Sequence, residues 1–391
     1  NLLSISVEGA KMNILFLVDT ANPIKGGIQR VSYSLYKYFK SRNHKVLVVS
    51  WGQKDDVLTD DYFCMPDSDE GDSVDNRKFL NKIIDDYGIQ LIMNHTALSP
   101  QNSPLLRFCK QKGVYIVTVY HSSPFGVYGI RKYAKLSNIN NGFFRRLIDR
   151  IIRICFYIKY GKLLKMQAEY SDKIVMLSDK FISEYLYFVG DKFQKKMLAI
   201  PNPLTVERIG CKDKENILLF VGRLAPEKGL PYLMEIWNKI EPKYPDWSMQ
   251  IVGDGAGRSY IENKINKLGL KRCFLLGFQN PETFYNKAKV FCMTSLYEGF
   301  GLVLIEAMSY GVVPLAFNSY SNVSDIIEDS QNGFLIPPFD VDAYVEKISL
   351  LLSDSNKLSK MANEAYEKSK KYTIGLIGQQ WEKLFASLLL K

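Results

Sequence analysis

Short runs of consecutive apolar residues recur along the chain and alternate with helical patterns, and this alternation limits the fold more than any other feature. The runs are four to seven residues long and are bounded by loop residues, which predicts buried β-strands. Between the first two runs, Ile28, Val31, Leu35 and Phe39 lie on one face of a predicted helix. Strand–helix–strand order predicts parallel, doubly wound sheets of the α/β class. The runs are 13–18, 45–50, 89–93, 114–120, 173–177, 216–221, 249–252, 274–277, 290–294 and 312–317.

The length of the chain, 391 residues, is enough for two domains that each have a hydrophobic core. Its 47% hydrophobic and 24% charged residues are ordinary for a globular protein, and no apolar run approaches the length of a membrane span. Pro201 and Pro203 interrupt regular structure, so we place the domain boundary just after them. The predicted domains are 12–205 and 206–372, and a final helical pattern lies within 373–391.

The N-terminus and the cysteines bear on where the protein works. Residues 1–11 precede Met12 and are interpreted as upstream or added residues, and nothing there has the pattern of a signal peptide. The six cysteines show no paired spacing and there are only three histidines, so neither a disulfide framework nor a zinc site is supported. We therefore expect a cytoplasmic protein.

A glycine-rich turn opens the pattern Glu-Gly-Phe-Gly-Leu-Val-Leu-Ile-Glu at residues 298–306, between a predicted strand and a predicted helix. Gly299 and Gly301 let a ligand approach the backbone, and the start of the helix offers unpaired N–H groups that attract an anion. Glu298 precedes the turn and Glu306 lies two helical turns later, so carboxylates can accept hydroxyl hydrogen bonds on both sides of the anion. This arrangement fits a nucleotide sugar.

The two glutamates with seven residues between them, followed by Glu-Ala-Met and Gly-x-x-Pro, resemble the donor site of family-4 retaining glycosyltransferases. The resemblance implies two Rossmann-like domains facing across a cleft, the GT-B fold, with the C-terminal helix crossing back to the first domain. It implies that Glu298 contacts hydroxyls of the transferred sugar, that Glu306 holds the ribose, and that no metal ion or other cofactor takes part. It also places Gly299, Phe300, Gly301 and Leu302 in the donor site.

A second motif, Gly222-Arg223-Leu with Lys228 five residues after the arginine, also matches the family. Departure of a nucleoside diphosphate builds negative charge on its β-phosphate. A planar guanidinium can hold two of its oxygens, and an ammonium adds a point charge. We therefore assign catalytic roles to Arg223 and Lys228 and a donor-binding role to Gly222. The later sequence Gly-x-Gly-x-Gly, residues 253–257, is interpreted as a structural turn because it does not match the dinucleotide-binding pattern.

The first predicted domain contributes weaker candidates. Gly26 and Gly27 follow the first predicted strand at the start of a helix, where the family approaches the donor phosphate or the acceptor. A tight turn alone would also explain this pair. His121 follows a buried strand, where the family commonly has a histidine near the donor sugar, and a structural role is the alternative. The sequence Asp67-Ser-Asp69 nominally matches a metal motif of another glycosyltransferase fold, but no strand is predicted before it, so we interpret it as a solvated loop.

Residues 130–166 hold ten basic residues and a single acidic one, which nearly accounts for the formal net charge of +10. Aromatic and aliphatic residues are interleaved with them. A basic amphipathic helix of this kind is typical of a membrane-surface element. The alternatives are a helix with a solvated basic face and, less favoured, a nucleic-acid surface. The predicted membrane or acceptor surface contains Arg145, Arg146, Arg150 and Arg153.

Together these patterns predict a retaining glycosyltransferase that moves a sugar from a nucleotide-sugar donor, with a UDP-sugar as the expected donor, to a glycan or lipid-linked acceptor. Surface polysaccharide or lipopolysaccharide synthesis, on the inner face of the cell membrane, is the expected setting. Two alternatives stay open: a basic membrane- or nucleic-acid-binding module without catalysis, and a nucleotide-sugar epimerase or hydrolase of similar fold. The joint presence of Arg223, Lys228, Glu298 and Glu306 favours the transferase.

Overall fold

The computed structural model describes residues 11–51, 61–97, 102–126, 142–206 and 214–389, without the side chains of residues 102, 142–146 and 149. The chain divides into two compact units. Of the described residues, the first unit comprises 11–126, 142–205 and 373–389, and the second unit comprises 206 and 214–372. Each unit is built around one parallel sheet with helices between successive strands.

The sheet of the first unit has seven strands in the order β3-β2-β1-β4-β5-β6-β7, and all of its pairs are parallel. Its inner strands are buried along most of their length because helices cover both faces. The strands are β1 (Asn13–Val18), β2 (Lys45–Ser50), β3 (Tyr62–Cys64), β4 (Leu91–Asn94), β5 (Tyr115–Tyr120), β6 (Lys173–Met176) and β7 (Met197–Ala199). The helices are α1 (Gly27–Ser41), α2 (Val74–Tyr87), α3 (Asn102–Gln111), α4 (Gly142–Tyr170) and α5 (Asp179–Val189).

The sheet of the second unit has six strands in the order β10-β9-β8-β11-β12-β13. Its core packs the indole of Trp237 against apolar residues of the central strands. The strands are β8 (Ile217–Val221), β9 (Ser248–Val252), β10 (Cys273–Gly277), β11 (Val290–Met293), β12 (Val313–Phe317) and β13 (Phe334–Ile336). The helices are α6 (Leu230–Ile240), α7 (Arg258–Leu268), α8 (Glu282–Lys287), α9 (Leu302–Ser309), α10 (Val323–Ile326), α11 (Val341–Ser353) and α12 (Ser355–Ser369).

The strand order creates one topological switch point in each sheet. In the first unit β1 pairs with both β2 and β4, and in the second unit β8 pairs with both β9 and β11. From these central strands the chain builds outward on one side and then returns to build the other side. Open α/β sheets bind ligands beyond the carboxyl ends of the strands at such a point. The loops after β1, β4, β8 and β11 are therefore the places to look for a site.

The last helix, α13 (Ile374–Leu389), packs on α1 of the first unit. The rings of Phe39 and Phe385 have centroids 5.2 Å apart. The carboxylate of Glu382 accepts a hydrogen bond of 3.2 Å from the hydroxyl of Tyr38 and one of 3.1 Å from Nε of Arg42. The return of the C-terminal helix to the first domain, which the family resemblance implied, is thus confirmed, as is the α/β class with two Rossmann-like domains. The cleft between those domains stays a prediction.

One detail of the sequence interpretation is wrong. A strand does precede Asp67, because β3 (Tyr62–Cys64) ends three residues before it. At three residues it is too short to show an apolar run. The carboxylate of Asp67 accepts hydrogen bonds of 2.9 and 3.0 Å from the backbone N–H groups of Asp69 and Glu70, which is how an aspartate stabilises a loop. In the part of the chain that the structure describes, no helix is long and apolar enough to cross a membrane.

Candidate active site

Two loops of the second unit leave the carboxyl ends of the neighbouring strands β8 and β11. We call residues 222–229 the β8 loop and residues 294–301 the β11 loop. The first carries Arg223 and Lys228, and the second carries Glu298. Parallel strands that pair side by side present their carboxyl ends at one edge of the sheet, so residues far apart in sequence meet there.

The side chains of Lys228 and Glu298 form an ion pair in which Nζ lies 2.5 Å from Oε1. Both side chains are mostly enclosed, with exposed fractions of 17% and 14%. The hydroxyl of Ser295 donates a second hydrogen bond to the same carboxylate oxygen, at 2.7 Å. The structure therefore brings together two of the predicted site residues, 70 positions apart in sequence, and adds a serine that the sequence analysis did not single out.

The backbones of the two loops are joined at two further points. The hydroxyl of Thr294 donates to the carbonyl oxygen of Lys228 at 2.9 Å, and the N–H of Leu296 donates to the carbonyl oxygen of Glu227 at 2.8 Å. These bonds hold Lys228 in register with Glu298.

Gly229 ends the β8 loop in the left-handed region, with φ of +64°. A Cβ atom at this position would lie 2.0 Å from the carbonyl oxygen of Thr294. The two loops can approach this closely only because residue 229 has no side chain.

The glycine turn at residues 253–257 packs against the β8 loop. The N–H of Gly222 donates to the carbonyl oxygen of Val252 at 3.0 Å, and the N–H of Leu224 donates to that of Asp254 at 2.8 Å. A Cβ atom on Gly253 would lie 1.9 Å from the carbonyl oxygen of Gly222. The structural interpretation of this turn therefore agrees with the contacts, since the turn packs against the backbone on both sides of Arg223.

Arg223 itself points outward, with 74% of its side chain exposed. Its guanidinium donates to Oε1 of Glu227 at 2.7 Å, four residues further along the loop. An exposed ion pair of this kind contributes about 1 kcal/mol or less, so an anionic ligand can compete for the guanidinium at little cost. The structure does not bring Arg223 into contact with the Lys228–Glu298 pair through any bond of the described residues.

The end of the β11 loop leads into α9, whose first residue is Leu302 and whose N-cap is Gly301. No side chain caps this end. The N–H of Leu304 donates to the carbonyl oxygen of Gly301 at 2.9 Å, so the N–H groups before it in the first turn are the ones that a ligand could bind. The ring of Phe300 is buried and packs against Tyr372, with ring centroids 5.9 Å apart. Any contribution of Phe300 to a donor site would therefore come from its backbone, as it would for Gly299.

Glu306 lies on α9 and is fully buried. Its Oε2 accepts a hydrogen bond of 3.0 Å from the hydroxyl of Tyr285, which is also buried. Burial of a carboxylate is costly without such partners. The predicted contact of Glu306 with a ribose stays a prediction, and in this structure Tyr285 rather than solvent lies against the carboxylate.

In the first unit, Gly26 and Gly27 lie at the start of α1, after the loop that follows β1. Gly26 is the N-cap residue of this helix and makes no side-chain cap, which leaves the backbone N–H groups of the first turn unpaired by a cap. The loop itself is ordered by Asn22, whose side chain accepts a 3.0 Å bond from the N–H of Ile24. The structure thus places the glycine pair at the switch point of the first sheet.

His121 lies at the carboxyl end of β5 and meets a second histidine, His95, at the carboxyl end of the adjacent strand β4. Nδ1 of His95 and Nε2 of His121 are 2.9 Å apart, and the two buried rings are stacked with centroids 5.2 Å apart. In this hydrogen bond one ring nitrogen is the N–H donor and the other is the acceptor, so the two imidazoles form a hydrogen-bonded pair. The sequence analysis did not select His95, although it directly follows a predicted strand.

Burial keeps both histidines neutral. Desolvation lowers the pKa of His121 to about 4, against a smaller opposing effect of the Asn202 side chain. Desolvation also lowers the pKa of His95 well below its usual value, and the nearby His121 adds to this. A histidine whose pKa is lower in the folded state stabilises the fold above its unfolded pKa, and this stability is lost as the pH falls toward the folded pKa.

We therefore expect the first unit to lose stability as the pH falls from 6.5 to about 4. In this range the histidines of the unfolded chain bind protons, whereas the buried pair of the folded chain stays neutral. His121 alone accounts for about 3 kcal/mol of unfolding free energy across this range. Denaturant titrations at several pH values check this in the wild type and in the His95→Gln/His121→Gln variant. The variant should show a shallower loss, and equal slopes in the two proteins would contradict the assignment.

The predicted basic surface falls on α4. Arg150 is exposed, and the guanidinium of Arg153 lies over the ring of Phe125, 4.3 Å from its centroid. The side chains of Arg145 and Arg146 lie outside the described residues, as does the segment 127–141. Helix α4 belongs to the first unit, and the β8 and β11 loops belong to the second.

Two family models match consecutive parts of the chain. The model described as "Glycosyltransferase Family 4" matches residues 25–206, and the model described as "Glycosyl transferases group 1" matches residues 204–368. The first corresponds to the unit with the histidine pair, and the second to the unit with the paired loops.

Curated relatives match over about half of the chain. One is the GalNAc-α-(1→4)-GalNAc-α-(1→3)-diNAcBac-PP-undecaprenol α-1,4-N-acetyl-D-galactosaminyltransferase of Campylobacter jejuni, 31% identical over 211 residues. Another is the α-D-kanosaminyltransferase of Streptomyces kanamyceticus, 30% identical over 199 residues. These alignments cover 53% and 50% of this chain and span 58% and 51% of the relatives' own lengths.

Solved structures share the fold over nearly the whole chain. The Anabaena protein HepE, crystallised with UDP, superposes with a TM-score of 0.72 at 17% identity, covering 96% of this chain and 100% of that one. Sucrose-phosphate synthase from Thermosynechococcus elongatus gives a TM-score of 0.73 at 18% identity, covering 97% and 100%. At this identity the likeness concerns the fold alone, and it confirms the predicted GT-B class.

Proposed function

The chain belongs to the family-4, group 1 glycosyltransferases, and from this membership and the paired loops of its second unit we propose that it transfers a sugar from a nucleotide-sugar donor to a glycan or lipid-linked acceptor. The observation that carries the proposal is the ion pair between Lys228 and Glu298 at the switch point of the second sheet. The ammonium of Lys228 can bind a phosphate, and the carboxylate of Glu298 can accept hydrogen bonds from sugar hydroxyls. A nucleotide sugar has a phosphate next to sugar hydroxyls and therefore fits this pair.

Departure of the nucleoside diphosphate requires positive charge near its phosphate oxygens. An ammonium has three N–H donors, so Lys228 can hold Glu298 and a β-phosphate oxygen together. Arg223 can leave Glu227 and bind the same diphosphate with two N–H groups. We propose that these two cations supply the stabilisation of the departing charge, and that the reaction needs no metal ion. Fixed charges aimed at developing charge are often the largest catalytic contribution.

We propose that the reaction proceeds with retention of the anomeric configuration, on the front face of the sugar. The bond from the anomeric carbon to the β-phosphate oxygen breaks, and the acceptor oxygen bonds to the anomeric carbon. The acceptor proton passes to the leaving phosphate oxygen. Positioning and charge stabilisation then do most of the work. His121 is proposed to approach the donor sugar, held in place by His95.

A UDP-sugar is the donor that we propose. Two supporting observations come from other proteins: solved structures of the same fold contain UDP, and one of them is in complex with UDP-glucose. In this chain the proposal assigns the ribose to Glu306, which Tyr285 orients through its hydroxyl. The nucleotide would reach this buried carboxylate by displacing the groups that cover it.

Thermal unfolding with nucleotides tests the donor assignment. Of UDP, GDP, ADP and CMP, each supplied in buffer with EDTA, UDP is expected to raise the melting temperature of the second unit. A ligand at about a hundred times its dissociation constant adds roughly 2.7 kcal/mol of stability, which gives a measurable shift. The shift should be lost in Glu306→Gln, which weakens the acceptor for ribose hydroxyls while keeping the volume of the side chain.

Glu282→Gln is the matched control. Glu282 also accepts a hydrogen bond from a tyrosine, Tyr310, at 3.0 Å, but it has no proposed contact with the nucleotide. The UDP shift should survive in this variant. A shift with GDP, ADP or CMP instead of UDP would reassign the base, and no shift with any nucleotide would contradict the donor site.

The cellular role that we propose is assembly of a surface polysaccharide or lipopolysaccharide at the cytoplasmic face of the membrane. Support comes from the relatives, one of which is named for an undecaprenol-linked glycan. The basic composition of residues 130–166 suits an acceptor that carries phosphate groups.

A further inference from the structure

Helix α4 (Gly142–Tyr170) leaves an aliphatic stripe uncovered. Leu147, Ile151, Ile154 and Ile158 are spaced by four, three and four residues, which places them on one face of the helix. Their exposed fractions are 44%, 51%, 45% and 75%. The helix already packs into the first unit through other residues, among which Phe156, Leu164 and Ala168 are buried. Among the described residues, the stripe is therefore an apolar surface that stays exposed to solvent.

Two exposed tyrosines extend the stripe sideways. Tyr157 of α4 and Tyr187 of α5 have ring centroids 6.3 Å apart, and about half of each side chain is exposed. Tyr187 also packs against Phe125, with centroids 5.6 Å apart. We call these two tyrosines and the four aliphatic residues the α4 patch. A cluster of exposed apolar side chains of this kind marks an interaction site, whereas single exposed apolar residues elsewhere on the surface do not.

Basic side chains border the α4 patch. Arg150, Lys159, Lys162 and Lys165 are exposed on the same helix, and α4 as a whole has seven basic residues against two acidic ones. A protein partner for a purely apolar stripe would not need this charge. An anionic bilayer offers both complementary features, because its hydrocarbon accepts the aliphatic side chains and its headgroups accept the cations.

We propose that the α4 patch is a membrane-docking surface, with the stripe entering the headgroup boundary of an anionic leaflet and the flanking cations binding its phosphates. The helix would then lie in the plane of the membrane surface, as interfacial amphipathic helices do. Docking of this kind requires the aliphatic residues as well as the basic ones, whereas purely electrostatic binding would require only the basic ones. The proposal does not depend on the donor or on catalysis.

The α4 patch is connected to the loop that follows His121, so docking would affect the position of this loop. Phe125, which packs on Tyr187, lies four residues after His121, and its N–H donates to the carboxylate of Glu184 on α5 at 3.3 Å. Ser123 also donates to Glu184. The loop that follows the histidine pair is thus fixed to the same helices that form the patch. Docking would hold this part of the first unit beside the bilayer, where a lipid-anchored acceptor would be presented. This last step rests on the proposed function.

Vesicle flotation of the full chain tests the docking surface. The wild type is expected to float with vesicles of phosphatidylglycerol and phosphatidylcholine, and weakly or not at all with phosphatidylcholine alone. The stripe variant Ile151→Ser/Ile154→Ser/Ile158→Ser should lose flotation. The charge variant Arg150→Gln/Lys159→Gln/Lys162→Gln should bind on the order of 100-fold more weakly, at about fivefold per basic residue.

Matched controls lie on other helices. Leu268→Ser/Leu376→Ser removes exposed aliphatic residues elsewhere, and Lys267→Gln/Lys360→Gln removes exposed charges elsewhere. Both should float as the wild type does. Full flotation of the stripe variant would overturn the proposal. So would a wild-type dimer in sedimentation that the stripe variant converts to a monomer without any change in flotation, because the patch would then be a contact between two copies. UDP-dependent thermal shifts in the stripe variant should be unchanged, which separates this test from that of the donor site.

Discussion

Lys228→Ala is expected to lower sugar transfer by about 100- to 1,000-fold, the usual effect of removing one group that stabilises developing charge. The ammonium is held by Glu298 and by the backbone bonds that join the β8 and β11 loops, so it is positioned before any ligand arrives. Turnover is measured as nucleoside diphosphate release from the donor that the thermal shifts identify. The loss should appear mainly in kcat, because the charge develops in the transition state.

The fold of this variant should survive, because Glu298 keeps the hydroxyl of Ser295 as a hydrogen-bond donor. Circular dichroism checks this. Lys239→Ala is the matched control, since Lys239 is an ion-paired lysine of the same unit, with Nζ 2.7 Å from Oδ1 of Asp342 and no role in the loops. Its turnover should equal that of the wild type. Near-normal turnover of Lys228→Ala would remove this residue from the catalytic machinery.

Gly229→Ala is expected to destabilise the second unit by about 3–5 kcal/mol, the upper range for single substitutions. Two costs add. The left-handed backbone disfavours any side chain by about 1–2 kcal/mol. The new Cβ would also meet the carbonyl oxygen of Thr294 at 2.0 Å, so the β11 loop must move. Calorimetry of the full chain measures the loss, and transfer should fall as well because Lys228 precedes the displaced residue.

Gly269→Ala separates the two costs. Gly269 has nearly the same backbone conformation, with φ of +65° against +64° for Gly229, but a Cβ there meets nothing within 4 Å. This variant should lose only the conformational part, about 1–2 kcal/mol, and keep its turnover. If the two variants were equally stable, the close approach of the two loops would not contribute, and the packing that positions Lys228 would have to be explained differently.

Much of the fold could be predicted because it depends on local patterns. The apolar run at 13–18 and the helical spacing of Val31, Leu35 and Phe39 give β1 and α1 directly. Ser178 directly follows the apolar run at 173–177, and its hydroxyl accepts a 3.1 Å bond from the N–H of Lys180 at the start of α5. Such features involve residues within one or two turns of each other, so their sequence is sufficient. The three-residue strand β3 shows the limit, because it exists only through pairing with β2.

The candidate site divides in the same way. The sequence alone determined which residue types lie at the ends of strands: Arg223 and Lys228 after one strand, Glu298 after another, and His121 after a third. It could not determine which of them touch, or that Ser295 and Tyr285 would join them. The basic composition of α4 was visible in the sequence, whereas the exposure of its aliphatic stripe was not, because any of the apolar residues of that helix could have been the buried ones.

The contacts that matter most were decided by the tertiary structure. Lys228 meets Glu298, His95 meets His121 and Tyr285 meets Glu306 across separations of 70, 26 and 21 residues. The first two pairs form because β8 lies beside β11 and β4 lies beside β5. The neighbour of a strand in a parallel sheet is set by how whole helices pack on both faces, and no local spacing encodes it. The sequence therefore determined the chemistry available at the sheet edges, and the strand order decided which groups act together.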